Sequence, residues 1–200
     1  EKLVFQIGIG AIVGYFSYRA GLSEAPVDTA HVLNLPFQKT YESAVTDRLG
    51  AGVIVLPLGV FVVSSVLMIA GMSNAVNITD GMDGLASGIS AVVALGLVVL
   101  ALVAGRQSWA QTLLVPSVAG SGELAVLAGS MAGACLGFLW FNCSPAQVFM
   151  GDTGSLCLGG LIGYTALVVR QEAVVLLMSG VFLVAIASVV IQVGYFKSTS

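Results

Sequence analysis

Charge is scarce in this sequence. Only 8% of its 200 residues are Asp, Glu, Lys or Arg, where a soluble domain carries about 25%. That scarcity excludes a water-facing surface, and a mean hydropathy of +1.02 with 58% hydrophobic residues places the chain in a bilayer. The net charge of −3 is too small to suggest an acidic partner or a nucleic acid, and no nucleic acid is expected. Cysteine is sparse and odd in number: Cys135, Cys143 and Cys157, two of them in apolar runs, argue against a disulfide framework. No Cys/His spacing suggests zinc. The single histidine, His31, stands in a polar connection, where a solvated loop residue is the expected reading. A basic stretch followed by a short apolar core and a small-residue cleavage site is missing, so no cleavable signal is read.

What is present is long apolar runs. They are unbroken rather than alternating, which favours helices over a barrel as the way to satisfy the backbone in lipid. The fold class is therefore an all-α, polytopic transmembrane helical bundle in one domain. A spanning helix needs about 20 apolar residues, and about six spans are readable: 3–18, 51–70, 85–104, 124–141, 154–169 and 173–195. The first is short and interrupted by Gly8, Gly10 and Gly14. The second has Pro57 near its start, and the fourth is rich in Gly and Ala, which suits close helix packing. Between the first two spans, Val32 to Phe37 is locally apolar and suits a dip into the interface; Arg170-Gln171-Glu172 reads as a tight turn. The chain opens at Glu1 without a methionine and stops soon after an apolar run, the pattern of a piece of a longer protein.

Two polar stretches stand out. In Ser73 to Gly84, Asn74, Asn77, Asp80 and Asp83 recur at a spacing of three, so they are neighbours on a helix surface, fanned across half the cylinder if the helix is α. Gly81 and Gly84 let backbone or ligand come close. Asp80 as N-cap of the third span, with Asp83 in the capping-box position, is the plain alternative, but it leaves both asparagines unexplained. The second stretch, Asn142 to Ser155, has Pro145 to break a helix, Phe149 as an interfacial anchor or a surface on which a base stacks, and Asp152 ahead of the fifth span. Asp152 reads either as a simple N-cap or as a metal ligand. Free amides of Thr153, Gly154 and Ser155 at that helix start suit an anion, and a carboxylate beside an anion implies a bridging cation. Mg²⁺, which takes one or two carboxylates and phosphate oxygens, fits. Gln192, among apolar residues near the end of the sixth span, needs a partner, most simply a neighbouring helix.

Counting spans puts both polar stretches on one side of the membrane. On that side lie Lys2 and Lys197; on the other lie Arg19, Lys39, Arg48, Arg106 and Arg170. The positive-inside rule then places the polar stretches outside the cytoplasm.

Ser73-Asn-Ala-Val-Asn-Ile-Thr-Asp-Gly-Met-Asp-Gly-Leu-Ala, Val148-Phe-Met-Gly-Asp-Thr-Gly-Ser-Leu and Ile191-Gln-Val-Gly-Tyr-Phe-Lys197 closely resemble, in order and spacing, the phospho-N-acetylmuramoyl-pentapeptide transferase (translocase I, MraY) family. The resemblance implies transfer of phospho-MurNAc-pentapeptide from its UDP carrier to undecaprenyl phosphate, giving lipid I and UMP in peptidoglycan synthesis. It implies Mg²⁺, a multi-pass place in the bacterial inner membrane and a site at the cytoplasmic face, against the basic-residue count; a homodimer stays open. Asp152 matches the family's metal-binding aspartate, which is the nucleophile in a two-step route and not in direct attack by the lipid phosphate. Asp80 and Asp83 match acids near the nucleoside and sugar, with Asn74, Asn77 and Gly81 beside them. Phe149 matches the aromatic that stacks on uracil, with Asn142 next to that pocket, and Ser155 and Gln192 match further pocket positions.

The sequence also departs from the family. The family's earlier Asp-Asp motif would precede Glu1, its His-rich loop would follow Lys197, and four of ten spans are missing; Cys143-Ser144 and Gln147 stand where other residues are expected. These 200 residues alone are therefore expected to be inactive. A related polyprenyl-phosphate N-acetylhexosamine-phosphate transferase is the alternative. An ion-coupled transporter would put its acids near the midplane rather than at span ends, and a scaffold would leave the polar clusters unexplained.

Overall fold

The computed structural model describes residues 1–21, 30–35, 38–43, 46–50, 52–113 and 115–199. Helix α1 is Lys2–Gly21. Four short strands follow, β1 Val32–Leu33, β2 Tyr41–Ser43, β3 Thr46–Leu49 and β4 Ile54–Val55. The remaining helices are α2 Leu58–Thr79, α3 Leu85–Ala104, α4 Gln107–Leu113, α5 Leu124–Asn142, α6 Gly151–Val168, α7 Glu172–Met178 and α8 Gly180–Thr199, with a 3₁₀ turn Ser121–Glu123 before α5. The strands make two antiparallel pairs, β1 with β4 and β2 with β3.

By length and composition five described helices can cross a membrane: α1, α2, α3, α5 with its leading 3₁₀ turn, and α8. This is a helical membrane bundle, and the chain is an integral membrane protein. Helix α6 lies outside that set because Asp152, Thr153 and several glycines dilute its apolar content. It is nevertheless central, and its Ile162 and Ala166 are fully buried. The core is built around α2. Met68, Met72, Ala75 and Val76 share one buried apolar cluster with Ala94 and Leu97 of α3, Ala128, Ala132 and Cys135 of α5, and Ile162 and Ala166 of α6. The outward residues, among them Phe5, Val92, Val126, Trp140 and Val190, are exposed and apolar, as lipid-facing surfaces are.

Several expected boundaries move. The second span is Leu58–Thr79, not 51–70. The β-branched run before Pro57 forms β4 instead of helix, and Pro57, extended at φ −68° and ψ 156°, is the N-cap. At the other end the polar residues Ser73, Asn74 and Asn77 stay helical because neighbouring helices take their side chains. The sixth span, 173–195, is two helices, with Ser179 ending α7 before α8 begins. Pro36 and Phe37, part of the suggested interfacial dip, lie outside the described residues.

Glycines set the closest helix approaches. On α6 the Cα hydrogens of Gly159 and Gly163 face the α2 backbone at Met72–Ser73 and Met68–Ile69; an added Cβ at Gly163 would stand 2.6 Å from Met68 O. On α1, Gly10 and Gly14 face Val66 and Ser65, so two of the three glycines read as interrupting the first span form its seam with α2, while Gly8 has nothing near it. The fourth span contributes differently. Gly133 and Gly137 of α5 have nothing near them, and its packing comes from Ala128, Ala132 and Cys135.

The end of α6 is closed by a Schellman motif. Gln171 N–H donates to Ala166 O at 3.1 Å and Arg170 N–H to Leu167 O at 3.3 Å. The left-handed residue such an end requires is usually glycine. Here it is Arg170, at φ 56°, the sole non-glycine with positive φ among the described residues.

His31 is fully buried at the same end, not solvated as the sequence suggested. Its Nε2 lies 2.9 Å from Tyr18 O, and its ring packs on Tyr18 and Phe61.

Candidate active site at one end of the bundle

Helix α2 carries its polar residues to the end of the bundle where α1 and α6 begin and α5 stops. Because α-helical side chains three apart diverge by a fraction of a turn, Asn74 and Asn77 reach different neighbours. Asn74 Nδ2 donates to Gln6 Oε1 of α1 and to Ala70 O, both at 2.7 Å. Asn77 Nδ2 donates to Asp152 Oδ1 and to Ser155 Oγ of α6, both at 2.9 Å. Ser155, fully buried, returns its own hydroxyl proton to Gly151 O at 2.9 Å. Ser73 donates to Leu156 O at 2.8 Å, and Gln6 Nε2 to Ser73 Oγ at 3.3 Å. Three helices are thus laced together by amides and hydroxyls at their polar ends.

Asp152 stands in the first turn of α6, with Met150 at the N-cap, so it is not the cap itself. Its exposed carboxylate is shared between Asn77 and the Lys2 ammonium of α1. Asp80 ends α2 as the C-cap, and Gly84, left-handed at φ 72°, is the N-cap of α3 with no side-chain bond. The plain alternative, Asp80 as N-cap of the third span, does not hold: the turn from 80 to 84 separates it from α3. Asp80 lies close enough to the Gly151 amide and to Asp152 to feel both. Burial lifts the Asp80 carboxyl above the ordinary carboxylate range; the Gly151 amide pulls it down and the Asp152 charge adds to the rise. Since α6 begins at Gly151, the amides without helical partners are those up to Thr153, not Thr153 to Ser155 as expected.

The 143–150 loop is fastened beside this pair. Asp83 Oδ2 accepts the Ala146 N–H at 3.1 Å. Asn142, only 4% exposed, accepts from Gly84 N–H at 3.1 Å and Ser87 Oγ at 2.9 Å, and donates to Val148 O at 2.9 Å. Phe149, directly before the Met150 N-cap of α6, is then 73% exposed.

The structure brings Asp80, Asp152, Asn77 and Ser155 into one cluster and ties Asp83 and Asn142 to the adjoining loop. Asn74, Asn142 and Ser155 use their side chains in internal bonds that tie the neighbouring helices and the loop together. Gly81 is exposed, and a Cβ there would meet only Ile78 O at 3.9 Å. Gln192 is not brought in: it is exposed on α8 and donates to Ser188 Oγ at 3.3 Å, one turn earlier on its own helix. Lys2, Gln6, Ser73 and Ser87 belong to the site and were not singled out from the sequence. Lys2 and Gln6, four apart in the otherwise apolar first half of α1, carried the readable signal.

The chain as a whole is similar to curated proteins of known description. A curated phospho-N-acetylmuramoyl-pentapeptide-transferase of Neisseria gonorrhoeae is 45% identical over 200 residues, covering 99% of this chain and 51% of its own length. Proteins of the same description from Desulfotalea psychrophila and Thermodesulfovibrio yellowstonii are 44% and 47% identical over 98% and 84% of this chain. The chain spans about half the length of the curated relatives it matches. The profile of glycosyl transferase family 4 matches residues 1–170, and with its carboxylates gathered at one end of a helical membrane bundle, this chain belongs to that family.

Proposed function

We propose that this chain is the part of a phospho-MurNAc-pentapeptide transferase that holds the nucleotide-linked donor, and that the whole protein transfers phospho-MurNAc-pentapeptide from UDP to undecaprenyl phosphate, releasing UMP and forming lipid I. The observation that carries the reading is the approach of Asp152 on α6 to Asp80 at the end of α2, beside a loop that presents Phe149. Phosphoryl transfer depends mainly on positioning and charge stabilisation. Two carboxylates that feel each other's charge, with phosphate oxygens as further ligands, suit Mg²⁺; among the described residues no group of three or more His, Cys, Asp or Glu is placed to hold a metal. Asp152 and Asp80 are the residues that would hold the ion, which when bound supplies charge stabilisation for the diphosphate and the departing UMP.

The chain's own groups do the rest. Asn77 fixes the Asp152 carboxylate in one orientation. The Lys2 ammonium, now on Asp152, is available to a phosphate oxygen at the same rim. Asp83 and Asn142 hold the loop that places the Phe149 ring for stacking on uracil. We place this rim at the cytoplasmic face of the bacterial inner membrane, where the nucleotide is. Arg170 drops out of the opposing charge count, because it is buried and paired with Glu172 inside the protein.

The test is lipid I formation by the full-length protein in vesicles, with undecaprenyl phosphate, UDP-MurNAc-pentapeptide and Mg²⁺. Asp152→Asn and Asp80→Asn are each expected to lower turnover roughly 100-fold or more. Wild-type turnover in both variants would remove the reading.

A further inference from the structure

At the end of the bundle opposite the carboxylates, the β1–β4 ribbon is held by a side chain that the local backbone would not select. The Schellman end of α6 calls for glycine at its left-handed position, and Arg170 stands there. Strained positions of this kind persist where the surroundings over-determine them. Here the guanidinium is 1% exposed in a site made for it. Arg170 Nε and Nη2 both donate to Val32 O, at 3.1 and 2.9 Å, and Nη1 donates to Leu167 O at 3.3 Å. Nη1 also lies 2.7 Å from Glu172 Oε1, and the group sits over the Phe61 ring at 4.6 Å. One side chain therefore joins β1, the end of α6, the start of α7 and α2.

The ribbon's other ties are simpler. Asn34 Nδ2 donates to Gln171 Oε1 at 3.0 Å, and Leu56 N–H to His31 O at 2.9 Å. The ribbon itself has only two paired positions, Val32 with Val55 and Leu33 with Ile54. Ile54 and Val55 are exposed, so β4 adds little apolar burial. A two-stranded pair of that size is not stable alone. Its persistence rests on what it is fastened to.

We propose that the β1–β4 ribbon is a strap that opens as a local unit while the helices stay packed, and that Arg170 is the pin that keeps it shut. The glycine that would relax the backbone at 170 would release the strap, which separates this role from ordinary helix termination.

The experiment is hydrogen exchange with mass-spectrometric readout on the full-length protein in nanodiscs, comparing wild type with Arg170→Gly and Arg170→Lys. In Arg170→Gly, exchange in peptides covering 30–35 and 52–56 is expected to rise about tenfold or more, the effect of losing hydrogen bonds from a charged group, with α2 and α6 peptides unchanged. Arg170→Lys keeps the charge for Glu172 but lacks the fork, so it should give a smaller rise in the same peptides. Unchanged exchange in the strap, or a rise shared equally by α2 and α6, overturns the proposal. Should Arg170→Gly fail to fold, Arg170→Lys decides alone: a rise confined to the strap supports the pin, and wild-type exchange overturns it.

Discussion

Asn77 of α2 holds Asp152 of α6 by a 2.9 Å hydrogen bond to Oδ1, and the same nitrogen reaches Ser155 Oγ at 2.9 Å. The amide is thus a bracket spanning the first turn of α6. Its contact with the carboxylate fixes which way that carboxylate faces.

Replacing the bracket should therefore damage chemistry more than folding. Asn77→Ala is expected to lower turnover by the full-length protein roughly 10- to 100-fold, the usual effect of removing a group that orients a metal-ligating side chain. The thermal midpoint should fall little, because the helices keep the Ser73 and Asn74 ties. Parallel turnover and unfolding measurements check this. A large loss of stability with turnover intact per folded molecule would make Asn77 a structural residue only.

Asp80 titrates above the ordinary carboxylate range, first because it is partly buried and then because Asp152 is near. In the folded protein it keeps its proton to higher pH than in the unfolded chain. Its contribution to stability is full below the unfolded value, about 3.9, and is lost as pH rises through the elevated folded value. Asp80→Asn stays neutral throughout. The variant should therefore gain on wild type as pH rises through that window and run parallel to it above. Thermal unfolding of the two proteins across that pH range measures the difference. Asp152→Asn should narrow the window by removing the like charge.

The α2–α6 seam gives a third expectation. A side chain at Gly159 is driven into the α2 backbone at Met72 and Ser73, whereas one at Gly133 of α5 meets nothing within 4 Å. Gly159→Leu should destabilise the protein by about 3 kcal/mol or prevent folding, at or beyond the top of the usual range for overpacking. Gly133→Leu should fall within about 0.5 kcal/mol of wild type, as surface changes do. Equal losses from the two substitutions would mean that α5 has a neighbour over its glycines.

The bundle was legible because lipid-facing helices announce themselves by hydropathy alone. What hydropathy misread was polarity satisfied inside. Ser73, Asn74 and Asn77 fell outside the expected second span because nothing in the sequence says that Leu156, Gln6 and Asp152 await them. His31 looked solvated for the same reason, its partners Tyr18 and Phe61 being remote in sequence. Conversely, the apolar run before Pro57 looked like helix, although its β-branched residues suit a strand. In the site, counting spans was enough to put the stretches that carry Asp80, Asp83 and Asp152 on one side of the membrane, but not to pair Asp80 with Asp152. Lys2 entered only as a count of charge, since its meeting with Asp152 depends on how α1 leans on α2. The Gln192 position could not be placed from sequence because its surroundings depend on where α8 goes after the break at Ser179.

Phe149 gives the sharpest separation of binding from folding. Its ring is 73% exposed at the α6 end of a loop whose shape is set by other residues, by Asn142 with Val148 O and by Asp83 with Ala146 N–H. Removing the ring leaves those bonds untouched, so Phe149→Ala should unfold at the wild-type temperature. If the ring stacks on uracil, its loss should weaken a uridine nucleotide by about 1–3 kcal/mol, the range for base stacking on an aromatic side chain, which is roughly 5- to 150-fold in Kd. Phe149→Trp should retain most of the affinity, because a larger flat surface still stacks. Titration of the full-length protein with UMP, followed calorimetrically, reads both. Unaltered UMP affinity in Phe149→Ala would assign the ring to the membrane interface instead, where exposed aromatics also settle.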